Sequence, residues 1–513
     1  MSSTHEAAGP GALKGPMLFV AAILLASANF IAVLDMTIAN VSVPTIAGSL
    51  GISASQGTWI ITSYAVAEAI IVPLTGWLAG RFGPVRVFTS AMLLFGLFSA
   101  FCGLAHSLGF LVLGRVLQGL SGGLLMPLSQ TMLLRIFPKE KTNVAMALWA
   151  MTTLIAPVLG PIVGGSICDS FSWPLIFFIN VPIALVCSPL LFQMLKPYEE
   201  APRAAPIDKV GLGLLILFVG ALQIMLDTGK ENAWFESTQI WVLALVAGIG
   251  FVLFVIWELT ERHPIVDLRI FRHRGFTASV ITLALGYGAM FGSNVLTPLW
   301  LQSYMGYTST WAGMTMAWTG VLAVVMAPVV GQRMAKVDPR RIVFVGLAWI
   351  AFIMWQRTAL TNDVTYWQIA LPLLLMGIGM PLFIVPLTAL SLGSVEPEET
   401  ASAAGLQNFL RTMSGAVATS LVQTAWEDKT NAVHADLSGL TDRHGEAMHA
   451  LTASGLGQNE ALVSIDHLVQ GQSVIMATNQ IMLIVTMAFA LAAFVIWLAP
   501  KPRRAVDMSQ AGH

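Results

Sequence analysis

Fourteen apolar segments run through the chain, and all but the short eleventh are long enough to cross a lipid bilayer as a helix. Such a crossing takes about 20 mostly apolar residues. The segments are 17–46, 58–79, 87–107, 110–132, 144–167, 174–195, 210–227, 239–258, 276–301, 311–331, 341–356, 367–391, 403–426 and 473–499. Only 10% of the residues are charged, whereas a soluble domain has about a quarter. The sequence therefore predicts an all-α, polytopic membrane protein with fourteen spanning helices.

The basic residues are distributed unequally between the two sides of the predicted membrane. Cytoplasmic segments carry the excess of Lys and Arg in membrane proteins. With the N-terminus inside, the outer side holds only Lys230, Arg357, Lys429 and Arg443 of the 26 basic residues. We therefore expect both termini to lie in the cytoplasm. The first apolar segment is too long for a signal-peptide core and is interpreted as a span.

One connection, 427–472, is longer and more polar than the others. It falls on the outer side, carries Asp, Glu and His residues, and contains helix-favouring stretches such as 445–453. We expect a solvated loop here. A docking surface for an outside partner is the alternative interpretation.

Four charged residues lie well inside the apolar segments, away from their ends. Asp35, Glu68, Arg115 and Arg411 belong to the first, second, fourth and thirteenth segments. Burying such a charge in a membrane costs several kcal/mol, and intramembrane charges usually face a bundle interior or a water-filled cavity. These four residues are therefore the leading functional candidates.

Polar side chains accompany these charges at helical spacing, which predicts polar stripes that line a substrate pathway. Thr37 and Asn40 follow Asp35 in the first segment. The other two stripes consist of Arg115, Gln118 and Gly119, and of Gln407, Asn408 and Arg411.

A proton-coupled transporter needs a carboxylate that alternates between its protonated and charged forms. Desolvation favours the neutral form and a nearby Arg favours the charged form. Our hypothesis is that Asp35 is this group, with Arg115 as its partner and Glu68 as a second titratable site. The alternative is that these residues form static pairs that fix helix packing.

The fifth segment combines small residues with prolines. Gly160 and Gly164 stand four apart, which permits close helix crossing. Pro157 and Pro161 each remove a backbone hydrogen bond and favour a bend. This combination is typical of a gating helix, whereas plain tight packing explains only the glycines.

Several function classes lack support in the sequence. The net charge of −1 argues against a nucleic-acid partner. We find no phosphate-binding Gly-Lys-Ser/Thr loop, no nucleophile pattern and no metal-ligand spacing among the three cysteines. We therefore expect no enzyme, no metal and no cofactor, with the proton gradient as the energy source.

A weak internal repeat relates the two halves of the chain. The connection after the second segment and the connection after the tenth share a glycine followed by basic residues and a proline at equal offsets. The matched positions are Gly76, Arg81, Pro84 and Arg86, and Gly331, Lys336, Pro339 and Arg341. Repeated halves suit a transporter whose pathway runs between them.

Four motifs in these regions resemble those of the major facilitator superfamily, and within it the fourteen-helix drug:proton antiporters of the EmrB/QacA type. The motifs are 34–44, the loop 76–83, 115–119 and the antiporter motif 160–165. Four further segments narrow the resemblance to the EmrB-like branch: 173–182, 222–231, 257–260 and 264–268.

The resemblance implies a fold of two six-helix bundles with two inserted helices. The expected parts are a cytoplasmic tail 1–16, an N-terminal bundle 17–200, inserted helices 201–262, a C-terminal bundle 263–499 with the periplasmic loop 427–472, and a cytoplasmic tail 500–513. Gly76, Arg81, Gly83 and Arg86 would form the conformational loop. This loop departs from the superfamily pattern at Gly80, where an Asp is usual, so its latch is expected to be built differently.

The same resemblance implies proton-coupled multidrug efflux of hydrophobic toxic compounds and antibiotics from a bacterial inner membrane. Members of the EmrB-like branch work with a periplasmic membrane-fusion adaptor and an outer-membrane channel, which are the expected partners. Two alternatives are an exporter of one metabolite, such as a fatty acid or siderophore, and a sensor in a transporter-like fold.

Overall fold

A computed structural model describes residues 13, 15–52, 54–138, 141–199, 206–230, 232–334, 336–361, 364–441, 446–454 and 457–501. Most of the two predicted tails and Arg443 therefore lie outside the described residues. Within the described part the chain forms seventeen α-helices. They are α1 Pro16–Leu50, α2 Ala54–Ile71, α3 Thr75–Phe82, α4 Pro84–Gly103, α5 Leu108–Ile136, α6 Thr142–Ser170, α7 Leu175–Phe178, α8 Asn180–Leu195, α9 Lys209–Thr228, α10 Thr238–Thr260, α11 Arg274–Ser303, α12 Ser309–Arg333, α13 Pro339–Gln356, α14 Tyr366–Leu392, α15 Thr400–Thr441, α16 Glu446–Ala453 and α17 Gln458–Val495.

Thirteen stretches of the described chain are long and apolar enough to cross a membrane. Two of them join consecutive helices: Trp59–Phe82 combines α2 and α3 through a 3₁₀ turn, and Leu175–Tyr198 combines α7 and α8. The eleventh predicted segment, the shortest of the fourteen, corresponds to Pro339–Ala359. The thirteenth predicted segment corresponds to α15, which is not among these thirteen stretches because its membrane part contains polar residues, among them Gln407, Asn408 and Arg411. Fourteen spans and the all-α class agree with the sequence prediction.

The helices pack as two groups of six spans. In the first group α1 packs against α6, α2 against α5, and α4 against α5 and α8. In the second group α12 packs against α14, α11 against α15, and α13 against α14 and α17. The groups meet where α6 lies along α12 and where α3 and α5 contact α15. The α9–α10 pair packs together and rests on α2.

The polar connection 427–472 differs from the predicted solvated loop, because most of its described residues are helical. Helix α15 continues to Thr441, α16 follows, and α17 begins at Gln458. At 1.5 Å per residue the 42-residue α15 is about 63 Å long, about twice the 30 Å hydrocarbon thickness. Residues 427–438 contain neither Gly nor Pro, so nothing in that stretch ends the helix.

Candidate functional site

The core of the N-terminal half contains a buried ion pair between α1 and α5. Arg115 Nη1 lies 2.7 Å from Asp35 Oδ2. Arg115 also donates from Nε to the carbonyl oxygen of Ile60 at 3.0 Å, and from Nη1 to Gln118 Oε1 at 2.8 Å. Both charged side chains are 1% exposed, so the pair is withdrawn from solvent.

The second oxygen of Asp35 accepts two further hydrogen bonds. Gln118 Nε2 donates at 2.9 Å and Asn180 Nδ2 donates at 2.7 Å, both to Oδ1. Asn180 begins α8, so three helices converge on one carboxylate. An ionised carboxylate accepts all three bonds, because each partner is a donor.

Aromatic rings and a serine hold this network in place. The guanidinium carbon of Arg115 lies 4.2 Å from the ring centroid of Tyr64, which permits a cation–π contact. Asn180 also donates to Ser99 Oγ at 3.1 Å, and Ser99 donates to the carbonyl of Phe177 at 2.8 Å. The network therefore extends from α2 to α8 and fixes the direction in which each donor points.

This arrangement has the chemistry that a proton-linked switch requires. A proton that reaches Asp35 removes the charge that Arg115 and the two amides satisfy. A buried cation that loses its partner is costly, so the charge on Asp35 stabilises Arg115 in its present position.

A second buried cluster lies where the two halves meet. Glu68 on α2 is 7% exposed, and its Oε2 has no hydrogen-bond partner among the described residues. Arg411 on α15 contacts the sulfur of Met126 on α5, and its guanidinium lies 5.4 Å from the Tyr287 ring. Glu68 is within electrostatic range of both Arg411 and Arg115.

Amides surround Arg411 on the same face of α15. Asn408 Nδ2 donates to Gln130 Oε1 of α5 at 3.2 Å and to the Ala404 carbonyl at 2.8 Å. Gln407 is buried, and its Oε1 lacks a partner among the described residues. Polar groups from both halves therefore meet at the contact between α5 and α15.

The predicted glycine pair of the fifth segment lies against α1. A methyl group on Gly160 would collide with the side chain of Thr37, and one on Gly164 would press on Ile38. Thr37 donates to the Ala156 carbonyl of α6 at 3.4 Å. These glycines therefore allow the backbones of α1 and α6 to come close together, as the spacing predicts.

The remaining predicted residues of these helices have different surroundings. Asn40 is exposed. Gly119 lies against the backbone of Tyr64, so α5 packs tightly on α2. Pro157 is half-buried inside α6, and the side chain of Pro161 lies outside the described residues.

The conformational loop lies where α3 contacts α15. A methyl group on Gly76 would collide with Ser402 of α15. Gly83 has a φ of 91°, a conformation that L side chains rarely adopt. Arg81 lies 5.9 Å from the ring centroids of both Trp77 and Phe82. Gly76 therefore allows α3 to come close to α15, and Gly83 allows the backbone to turn between α3 and α4.

Glu199 supplies a carboxylate to this loop, in which Gly80 replaces the usual acid. Its oxygens accept hydrogen bonds from the backbone nitrogens of Val85 at 3.2 Å and Arg86 at 3.0 Å, at the N-terminus of α4. Arg86 Nε lies 3.7 Å from the same carboxylate. A negative charge at a helix N-terminus is stabilising, so an acid from the end of the sixth span caps α4 at this loop.

Sequence reasoning missed Asn180, Glu199 and the burial of Arg357. Asn180 is a polar residue within a predicted apolar segment and within the segment 173–182 that carries the resemblance, but neither signal assigned it a role. Arg357 was predicted to lie on the outer side. Its side chain is 1% exposed, and Nη2 donates to Thr297 Oγ1 of α11 at 2.8 Å.

The sequence and fold are similar to those of known membrane proteins. A profile of the Major Facilitator Superfamily matches residues 25–419. The Multidrug export protein EmrB of Escherichia coli (strain K12) is 40% identical over 495 residues, covering 96% of this chain and 97% of that protein. The Fatty acid resistance protein FarB of Neisseria gonorrhoeae is 40% identical over 494 residues, with coverages of 96% and 97%.

Solved structures share the fold at low sequence identity. The proton:xylose symporter XylE has a TM-score of 0.58 and 15% identity, covering 94% of this chain and 96% of that one. A bacterial homologue of the human lysosomal transporter Spinster has a TM-score of 0.55 at the same identity. These likenesses concern the fold alone.

Proposed function

This chain belongs to the Major Facilitator Superfamily and is a multi-pass membrane transporter, and we propose that it exports hydrophobic toxic compounds, antibiotics among them, in exchange for protons. The similarity to multidrug and fatty acid resistance proteins supports the direction and the substrate class. The buried Asp35–Arg115 pair supports the coupling to protons.

The pair carries this proposal because neither charge has solvent to stabilise it. A conformation that moves Arg115 away leaves a buried carboxylate, which takes up a proton to avoid an isolated charge. The return of Arg115 displaces that proton. In this scheme each cycle moves protons inward and substrate outward.

The second cluster supplies the link between the two halves. Glu68 belongs to α2 of the first half and Arg411 to α15 of the second, and both lie beside α5. We propose that substrate binds along this contact and changes the position of Arg411 relative to Glu68. Glu68 then acts as the second titratable group.

The experiment that tests this function is uptake of a fluorescent dye or a labelled uncoupler into inverted vesicles driven by a pH gradient. We expect gradient-dependent uptake by wild type and none by Asp35→Asn. Asp436→Asn is the matched control, because Asp436 is exposed on the extension of α15. Equal uptake by Asp35→Asn and wild type would remove Asp35 from the mechanism.

Competition assays in the same vesicles define the substrate range. Several unrelated hydrophobic compounds should each inhibit uptake of the dye. Inhibition by fatty acids alone would instead identify an exporter of that metabolite. A complete lack of uptake by wild type across these compounds would favour a sensor.

We also propose that the extracytoplasmic helical extension binds a membrane-fusion adaptor that leads to an outer-membrane channel. The extension comprises α16 with the adjoining parts of α15 and α17. Its exposed apolar side chains include Leu462, Val463 and Leu468 of α17, which are 53%, 57% and 66% exposed. Apolar groups on an otherwise polar surface are typical of interaction sites.

If the extension binds an adaptor, substitutions in it should affect drug resistance of whole cells but not uptake by vesicles. Leu462→Asp combined with Leu468→Asp should abolish drug resistance of whole cells and leave vesicle uptake intact, because vesicle uptake does not require export through a second membrane. Unchanged resistance would contradict this role of the extension.

The proposed location is the inner membrane of a bacterium with both termini in the cytoplasm, which the distribution of basic residues supports. A protease-sensitive tag at the C-terminus should be cleaved in inverted vesicles and protected in spheroplasts. The reverse pattern would contradict the orientation.

A further inference from the structure

A groove on the outside of the N-terminal half separates α4 from α5. Its cavity volume is about 490 Å³. Apolar side chains form most of its wall, among them Leu94, Phe98 and Leu120, and its basic group is Arg86. The neighbouring Leu93 and Leu97 of α4 are exposed, as expected for side chains that face lipid. The groove therefore opens toward the bilayer and not toward the contact between the halves.

The length of the groove matches one leaflet of the bilayer. Arg86 and Phe98 lie on α4, and the helix between them rises about 18 Å at 1.5 Å per residue. One leaflet contributes about 15 Å of hydrocarbon, half of the total thickness. An extended acyl chain along α4 therefore places its polar end at the level of Arg86.

The guanidinium of Arg86 is available to an anion. Its side chain is 62% exposed, and its Nε is 3.7 Å from Glu199, beyond a normal hydrogen bond. The Glu199 carboxylate instead accepts from the backbone nitrogens of Val85 and Arg86. A guanidinium has five N–H donors in a fork that suits phosphate, and the side chain that carries this one is mostly exposed.

We propose that this groove binds an anionic phospholipid from the leaflet on the side where α4 begins. The acyl chain lies between α4 and α5, and the phosphate pairs with Arg86. Ser90 and Leu94 of its wall are exposed, so the groove faces the bilayer there. Phospholipids are the abundant amphiphiles of a bilayer, and basic side chains near a membrane surface attract anionic headgroups. This site is separate from the proposed substrate pathway and does not depend on which compounds are exported.

Native mass spectrometry of the full-length protein tests the proposal with two probes, dipalmitoyl phosphatidylglycerol and dipalmitoyl phosphatidylcholine. Wild type should retain the anionic lipid in preference to the zwitterionic one. Arg86→Gln should lower retention of phosphatidylglycerol about fivefold, the contribution of one basic side chain near a membrane surface. Lys196→Gln is the matched control, because Lys196 is an exposed basic residue at the end of α8 on the same side.

A second pair of variants tests the acyl-chain part of the groove. Ser90 is exposed and lines it, so Ser90→Phe should fill the space and lower retention of both lipids. Leu97→Phe places the same ring on α4 outside the groove and should change neither. Equal retention by wild type and Arg86→Gln would overturn the proposal. So would equal losses in Arg86→Gln and Lys196→Gln, or Arg86-dependent binding of palmitate without binding of phosphatidylglycerol.

Discussion

Asn180 Nδ2 donates to Asp35 Oδ1 at 2.7 Å, on the side of the carboxylate opposite to its pair with Arg115. Helices α1, α5 and α8 are therefore joined through one ionisable group. A change in the charge of that group alters the contacts of all three helices. In the mechanism that we propose, this connection links protonation of Asp35 to a rearrangement of these helices.

Removal of Arg115 should destabilise the protein by more than the Asp35–Arg115 pair contributes to its stability. Arg115→Gln leaves the buried Asp35 without its cation, which costs about 3–5 kcal/mol. The double variant Arg115→Gln with Asp35→Asn should lose less than the sum of the single losses, since no charge remains buried. Thermal unfolding of the detergent-solubilised protein measures these differences. Strictly additive losses would show that the two side chains do not interact.

Substitution of Gly160 should impair transport, whereas a nearby glycine should tolerate the same change. Gly160→Ala introduces a methyl group that collides with Thr37, so α1 and α6 must separate. In Gly165→Ala the nearest atom to the new methyl group is Thr310 Oγ1 at 3.9 Å, an ordinary contact. Initial uptake rates should fall in the first variant alone. Equal rates in both variants would exclude a role for this close contact.

Glu68→Gln should change how uptake depends on the pH gradient. The variant keeps the size of the side chain and removes its charge, so one titratable site is lost. We expect uptake with a weaker dependence on the gradient at constant membrane potential. Glu427→Gln is a control, because Glu427 lies on the extension of α15 and is 38% exposed. An unaltered dependence in Glu68→Gln would remove Glu68 from the coupling.

Asp338 should contribute stability that disappears in acid. Hydrogen bonds from Arg340 lower the pKa of Asp338 below its usual value, and its Oδ1 caps α13. Because the pKa is lower in the folded state, the contribution is complete above the unfolded-state pKa of about 3.9. It is lost as the pH falls through the lower folded-state value. The difference in thermal midpoint between wild type and Asp338→Asn should therefore be constant from pH 7 to about pH 5 and shrink below that. A constant difference at all pH values would contradict this assignment.

The exposed ion pair between the inserted helices and α15 should contribute much less to stability than the buried Asp35–Arg115 pair. Lys230 Nζ lies 2.5 Å from a Glu427 oxygen, with both side chains more than a third exposed. Exposed pairs contribute about 0–1 kcal/mol. Lys230→Gln should shift the thermal midpoint far less than Arg115→Gln, and the remaining shift should diminish at high salt. A shift as large as that of Arg115→Gln would show that this pair anchors the inserted helices.

The sequence predicted most of the fold because membrane spans depend on local hydrophobicity, and it correctly placed even the short span of α13. It also indicated that Asp35 and Arg115 need buried partners, since an isolated charge is costly in a membrane. It did not predict Asn180, because an amide in an apolar helix reveals nothing about its orientation until α8 is packed against α1. The sequence did not predict the helical extension of α15, because polar residues beyond the membrane are equally compatible with a loop and with a solvated helix.

The most direct test of proton coupling through Asp35 is substrate-driven proton movement in proteoliposomes loaded with a pH-sensitive dye. An imposed substrate gradient should drive protons in the opposite direction in wild type. It should drive none in Asp35→Asn, although that variant still binds substrate. Proton movement at the wild-type rate in Asp35→Asn would contradict the mechanism.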